Sequence, residues 1–182
     1  MNFLASKDQL RGSMVRWSLF CVPLVVLLGF LGGQLGGPNT FWFQSLNKPQ
    51  IFPPPAAFGI VWSILYVMIG FALALVISAL GAHGRRGAVA LFALHFVFNV
   101  AWTPVFFGSQ NMVGGLVVLG LGLVTLLPVL WTFFRVRPVA GYLLLPYFGW
   151  LCFATALNYQ FIVVNPDGGA AYQNGAAVEV EL

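Results

Sequence analysis

Long stretches without charge constrain this chain more than any other feature. No Asp, Glu, Lys or Arg occurs between Arg16 and Lys48, between Lys48 and Arg85, between Arg86 and Arg135, or between Arg137 and Asp167. Only 7% of the 182 residues are charged and 60% are hydrophobic, against about 25% charged in an ordinary soluble domain. So few charges cannot cover a globule in water, and the solvent around most of the chain is therefore lipid. Crossing about 30 Å of hydrocarbon takes about 20 helical residues. Dividing the gaps at glycine, proline and polar clusters predicts spans at 17–35, 58–80, 88–107, 112–134 and 139–164. The third gap is too long for one helix, and Gly108-Ser109-Gln110-Asn111 supplies its turn. Pro23, Pro104, Pro128 and Pro146 fall inside spans, where neighbouring groups can satisfy the freed carbonyls. The expected fold class is an all-α membrane protein, a five-helix transmembrane bundle.

Five spans place the two termini on opposite sides of the membrane. Lys7, Arg11, Arg16, Arg85, Arg86, Arg135 and Arg137 then share one side, and Lys48 stands alone on the other. The positive-inside rule puts the N-terminus in the cytoplasm and the C-terminus outside, and the bias speaks for a plasma or inner membrane. Residues 1–16 form a cytoplasmic head that lacks the cleavage site of a signal peptide, and 17–164 form the membrane domain. The tail, 165–182, carries Asp167, Glu179 and Glu181 among Gly, Ala and Asn and is expected to be too polar to pack. The basic residues form no stripe, so no nucleic-acid partner is expected. Cys21 and Cys152 lie far apart in apolar runs and suggest neither a disulfide framework nor a metal site.

The connection over 36–57 is unusually long and holds Pro38, Pro49, Pro53, Pro54 and Pro55 with Phe41, Trp42, Phe43 and Phe52. Asn39 or Thr40 can cap a short helical turn reaching Leu46, after which the proline triplet forces an extended entry into span two. One reading is an aromatic lid over the bundle mouth, with Trp42, Phe43, Lys48, Pro49, Pro53 and Pro54 as its residues. The other is an interfacial aromatic belt of the kind common to membrane proteins.

All four carboxylates, Asp8, Asp167, Glu179 and Glu181, lie in the terminal segments. Proton relays, carboxylate metal sites and paired-carboxylate catalysis therefore have no residues inside the membrane. No phosphate-binding loop or zinc-helix motif is present. Gly29, Gly33 and Gly37, and Gly70, Ala74 and Ser78, recur at four-residue spacing, which favours close helix packing within the chain over a dimer seam. What the spans do hold is a polar and aromatic stripe. His95, Asn99, Trp102 and Thr103 fall on one face of span three, Trp150, Ala154, Leu157 and Asn158 on one face of span five, and Trp62 with Tyr66 on span two. Unpaired amides and imidazoles are costly in hydrocarbon, so these faces look at other helices or at a cavity. A cavity bounded by Trp62, Trp102 and Trp150 suits a flat, apolar, conjugated ligand, with Asn99 and His95 fixing its polar edges and Lys48 near the mouth for a carboxylate. Asn99 and Asn158 serve equally as interhelical hydrogen bonds. For His95 a satisfied core histidine outweighs axial ligation of a metalloporphyrin, since no second histidine lies in a span. No metal and no obligatory cofactor are expected.

Four motifs then converge. Trp42-Phe43-x-x-Leu46-Asn47-Lys48-Pro49-x-x-x-Pro53-Pro54, Val61-Trp62-x-x-Leu65-Tyr66-x-x-x-Gly70, Asn99-x-x-Trp102-Thr103-Pro104-x-Phe106-Phe107-Gly108 and Pro146-Tyr147-x-x-Trp150-x-x-Phe153-Ala154-x-x-Leu157-Asn158-Tyr159 stand in an order that resembles the TspO family. That family comprises the bacterial tryptophan-rich sensory proteins and the mitochondrial translocator protein, also called the peripheral-type benzodiazepine receptor. The resemblance implies a five-helix membrane protein, often a homodimer, that binds porphyrins, haem precursors, sterol-like lipids and benzodiazepine-site ligands beneath the first loop. It matches Trp62, Tyr66, Asn99, Trp102, Trp150, Ala154 and Leu157 to pocket positions, and Trp62 and Trp150 to the tryptophans implicated in light-dependent porphyrin degradation.

This chain departs from the family pattern in four places. His95 stands where the family often has Gln, Ile51 where Trp is common, and Gly114 where some members carry Trp, which suggests a wider pocket on that side. No Lys or Arg follows Leu157-x-Tyr159 closely enough for the weak sterol-recognition pattern of animal members. The favoured expectation is a tetrapyrrole-binding sensor or transporter. A light- and oxygen-dependent porphyrin-degrading enzyme is the first alternative, and a structural assembly protein with a lipid-filled cavity is the second.

Overall fold

The computed structural model describes residues 7–34 and 37–168. Its helices are α1 (Lys7–Gln34), α2 (Phe41–Ser45), α3 (Pro55–Ser78), α4 (Arg85–Thr103), α5 (Met112–Val136) and α6 (Pro138–Val164), with a π-helical turn at Pro104–Gly108 extending α4. Five are long and apolar enough to span a membrane, and no strand occurs among the described residues. The 24 residues of Pro55–Ser78 reach about 36 Å as a helix, enough to cross about 30 Å of hydrocarbon. The exposed side chains complete the argument. Leu19, Ile60, Val97, Val124 and Leu127 are all more than half exposed, a cost in water that vanishes when the neighbour is an acyl chain.

The helix boundaries differ from the sequence expectation chiefly at the N-terminus. Helix α1 begins at Lys7 rather than in the apolar run, because nothing in 7–16 breaks a helix and a polar stretch can continue it beyond the hydrocarbon. Helix α3 starts at Pro55, which occupies the first helical position, where a missing N–H costs nothing. Gly84, with φ of +80°, precedes α4 in a left-handed conformation that favours glycine. At the other end of α4, Pro104 widens the turn. The Ser109 amide donates to the Pro104 carbonyl at 2.8 Å, five residues back, and Asn111 then caps α5 by accepting from the Gly114 amide at 2.7 Å.

Packing contacts run α1 to α3, α3 to α6, α6 to α5, α5 to α4 and α4 back to α1. The spans therefore form a closed ring of five whose sequence neighbours are not always its spatial ones. The ring is tight where small residues permit it. Gly70 lies against the Val22 backbone, where an added Cβ would sit 2.6 Å from Cα, and Gly29 lies flat on the Tyr66 ring. Gly29 and Gly70, with buried Ala74 and Ser78, are thus used in packing inside the chain, whereas Gly33 and Gly37 meet nothing within 4 Å. Buried residues of all five spans, including Cys21, Ile69, Phe92, Leu126 and Leu144, make one core. A second, smaller cluster seals one end. There Trp42, Phe43 and Leu46 pack on Phe106, Met112, Leu157 and Phe161.

Candidate ligand-binding site

The end cluster shows what the long connection does. Thr40 caps α2 by accepting from the Phe43 amide at 3.3 Å, which turns Trp42 and Phe43 together onto the bundle. Both are buried, and the Phe43 ring lies 5.0 Å from Phe107 and 5.5 Å from Phe161. Burial on the bundle end fits the lid reading rather than an interfacial belt. Polar groups lock the segment down. Asn47 donates its amide to Asn165 Oδ1 at 2.8 Å and receives Asn165 Nδ2 on its carbonyl at 3.0 Å, while Trp42 Nε1 donates to the Gly168 carbonyl at 3.2 Å. The Lys48 ammonium donates to the Phe43 carbonyl and, at 2.7 Å, to the Leu46 carbonyl, and lies 4.4 Å over the Phe43 ring. Its charge is used to cap α2, and partial desolvation pushes its pKa below the ordinary lysine value. Pro49 is buried, Pro53 half-buried and Pro54 exposed.

The predicted tail therefore starts too early. Asn165 is 4% exposed because each end of its amide meets a backbone group, which removes the desolvation cost that polarity alone implies. The remainder, 169–182, lies outside the described residues.

Below the lid the nine predicted pocket residues divide into two groups. In the first, Trp62 stacks on Tyr66 with centroids 5.1 Å apart and meets Trp150 edge-on at 6.4 Å and Tyr147 at 6.3 Å. Tyr147 is the hub. Its hydroxyl lies 2.9 Å from His95 Nε2 and 2.9 Å from Asn99 Nδ2, and His95 Nδ1 lies 3.1 Å from Thr125 Oγ1. Tyr147 stands in the Pro146-Tyr147-x-x-Trp150 motif but is not among the predicted pocket residues, and Thr125 is in neither. Tyr147 sits three residues before Trp150, a spacing that shares its face, whereas Thr125 is an isolated hydroxyl with no such signal.

In the second group, Trp102 stacks on Phe106 at 5.1 Å and donates its indole N–H to Asn158 Oδ1 at 3.1 Å. Asn158 Nδ2 donates to the Met112 carbonyl at 2.8 Å. Both ends of this amide are occupied, so Asn158 ties α4, α5 and α6 together. Leu157 is buried with the lid, Ala154 packs at the edge of the main core, and Trp102 touches both clusters. Gly114 gives no extra room, since a Cβ there would lie 2.9 Å from Asn111 and 3.0 Å from Val105.

Among the described residues two buried side-chain polar atoms have no partner, Asn99 Oδ1 and Trp150 Nε1. Both belong to the first group, one an acceptor and one a donor. Each costs about 1–3 kcal/mol when left unpaired. Trp150 also lines an apolar groove of about 310 Å³ between α3 and α6 with Ile64, Met68, Pro146 and Gly149. Among the described residues no cluster of His, Cys, Asp or Glu is arranged for a metal ion.

A closed ring of five spans, capped by an aromatic lid and holding unpaired polar atoms among indole and phenol rings, defines an integral multi-pass membrane protein. The comparisons with known proteins specify which. Residues 21–164 match the TspO/MBR family. The chain is 35% identical to the tryptophan-rich protein TspO of Chlorobaculum tepidum, over 80% of this chain and 94% of that one. It is 36% identical to the tryptophan-rich sensory protein of Cereibacter sphaeroides, over 82% and 92%, and 37% identical to the human translocator protein, over 75% and 88%. The chain belongs to the TspO/MBR family.

Proposed function

We propose that this protein binds a flat, conjugated, largely apolar ligand of the tetrapyrrole class within the membrane, as a sensor or carrier. Family membership supports a sensing or translocating role. The observation that carries the finer reading is the pair of unpaired buried atoms, Asn99 Oδ1 and Trp150 Nε1, set among aromatic rings. Aromatic walls stack on a conjugated face, and isolated polar atoms fix its orientation. Trp62, Tyr66, Asn99 and Trp150 are the contacts we assign, with His95 behind them. Trp102, Leu157 and Asn158 support the lid side, and Ala154 packs at the edge of the main core. No cofactor is required, and the ligand itself is the tetrapyrrole.

Titration of the purified protein in lipid nanodiscs with protoporphyrin IX tests this, read by quenching of indole fluorescence. Trp62→Phe and Trp150→Phe are each expected to weaken binding roughly three- to tenfold, in line with about 0.5–1.5 kcal/mol for a specific aromatic contact. Unchanged affinity in both variants overturns the assignment. Illumination gives a separate readout. If substoichiometric protein consumes excess porphyrin in light and not in darkness, the role extends to catalysis.

We also infer that the N-terminus is cytoplasmic and the C-terminus outside, from seven basic residues on one side against Lys48 alone. Membrane-impermeant labelling of Arg86→Cys and Gln50→Cys in a Cys21→Ala, Cys152→Ala background should reach only the second from outside. The reverse pattern refutes the orientation.

A further inference from the structure

The hydrogen-bond chain running from α5 through α4 to α6 has a forced direction, and its direction decides what Asn99 offers a ligand. The chain begins at Thr125, whose hydroxyl lies 2.7 Å from the Leu121 carbonyl and 3.1 Å from the Gly122 carbonyl. A carbonyl can only accept, so the single Thr125 proton points there. Facing His95 Nδ1 at 3.1 Å, Thr125 Oγ1 has only lone pairs to give, and His95 must carry its proton on Nδ1. In a neutral imidazole Nε2 is then an acceptor. Tyr147 consequently donates its one proton to His95 Nε2 at 2.9 Å. Its oxygen is left as an acceptor, and Asn99 must turn its Nδ2 toward it, as the 2.9 Å contact records. Asn99 Oδ1 is the end of the chain, buried and without a partner.

We infer that His95 is a positioning residue that sets the hydrogen-bonding sense of the site, so that Asn99 presents an acceptor and the matching edge of the ligand is an N–H or O–H donor. This rests on the tetrapyrrole reading for the identity of the ligand, but the direction of the chain stands on this protein's own groups. It also excludes a carboxylate at that point, since two acceptors would face each other.

Gln at position 95 reproduces the same sense. Its Nε2 donates toward Thr125 and its Oε1 accepts from Tyr147. Leu at 95 frees the Tyr147 proton. The hydroxyl then donates to Asn99 Oδ1 after the amide rotates, and Nδ2 becomes the group offered to the ligand.

A matched pair of uncharged probes reads this out. The bis(N-methylamide) of protoporphyrin keeps an N–H donor on each side chain, and the bis(N,N-dimethylamide) keeps only the carbonyl. The native protein is expected to bind the first about tenfold more tightly, the size of one hydrogen bond to a buried acceptor. His95→Gln should retain that preference, and His95→Leu should bring the ratio to one or below. A native ratio of one, or an unchanged ratio in His95→Leu, overturns the inference.

A second measurement needs neither ligand nor a Leu variant that folds. The ¹⁵N spectrum of histidine-labelled protein in a His83→Gln background should show His95 protonated on Nδ1 and bare on Nε2. A proton on Nε2 overturns the inference. With Nδ1 protonated, failure of both amides to bind overturns the tetrapyrrole reading while the orientation of Asn99 stands.

Discussion

Two tryptophans in this protein invite the same substitution with opposite consequences. Trp150 Nε1 is buried and unpaired, whereas Trp102 Nε1 is bonded to Asn158 Oδ1 at 3.1 Å. Replacing either ring by Phe removes roughly 40 Å³, which at about 24 cal/mol per Å³ of residual cavity costs about 1 kcal/mol. At Trp150 the change also deletes an unsatisfied donor and recovers about 1–3 kcal/mol. The Trp150 ring lies 6.4, 5.9 and 5.3 Å from Trp62, Phe58 and Phe153, so a Phe in its place keeps part of the aromatic contact. At Trp102 the change strands Asn158 Oδ1 and loses about 1–3 kcal/mol more. Ligand-free Trp150→Phe should therefore be neutral or up to about 2 kcal/mol more stable, and Trp102→Phe about 2–4 kcal/mol less stable. Reversible unfolding in mixed micelles by increasing SDS, followed by helical circular dichroism, measures both. Trp150→Phe should gain stability while losing porphyrin affinity. Equal destabilisation of the two variants refutes the claim that Trp150 holds an unpaired donor.

Three further outcomes follow from the packing and the lid. Gly70→Ala places a Cβ 2.6 Å from the Val22 backbone, and Gly149→Ala meets nothing within 4 Å; the first should lose about 1–3 kcal/mol by overpacking and the second should gain up to about 1 kcal/mol of helix propensity, in the same SDS unfolding, and equal values would be wrong for this geometry. Asn165→Ala removes the two-way pairing with Asn47, so proteolysis within 37–54 should speed up roughly tenfold or more, from about 1–3 kcal/mol of lost pairing; unchanged cleavage would show that the lid is held otherwise. For Lys48 the folded-state pKa lies below the ordinary 10.5, so between the two values the released lid binds more protons than the seated one and lid protection should rise with pH. Lys48→Arg should abolish that rise, and protection that falls over the same window contradicts the sign.

The spans, the lid turn and the polar face of α4 were legible because each depends on local pattern: charge-free length, a capping Thr40, and the spacing of His95, Asn99 and Trp102. The ring order was not, because periodicity says which face of a helix is polar and not which helix it meets. This is why Trp102 could be grouped with Trp62 and Trp150 from its spacing, although its closest rings are Phe106 and Phe107. Tyr147 was invisible as a hub for the same reason, since its partners come from another span. Asn165 was misread because composition counts an amide as polar without knowing that a backbone pair waits for both its ends.

The distribution of satisfied and unsatisfied groups separates two tasks. At the lid, Asn47, Asn165, Trp42 and Lys48 all have partners, and the lid-side amide Asn158 is used at both ends. The unpaired atoms lie instead around Tyr147 and Trp150. A bundle selected for stability alone would pair or delete those two atoms, because each is a standing cost in a low-dielectric interior. Keeping them beneath a bonded lid leaves the ring assembled, and on the proposed reading it reserves their hydrogen bonds for the ligand. On the proposed reading the same two atoms weaken the fold and orient the ligand, so substitutions that satisfy Asn99 or Trp150 from within the protein should strengthen the fold and weaken binding together.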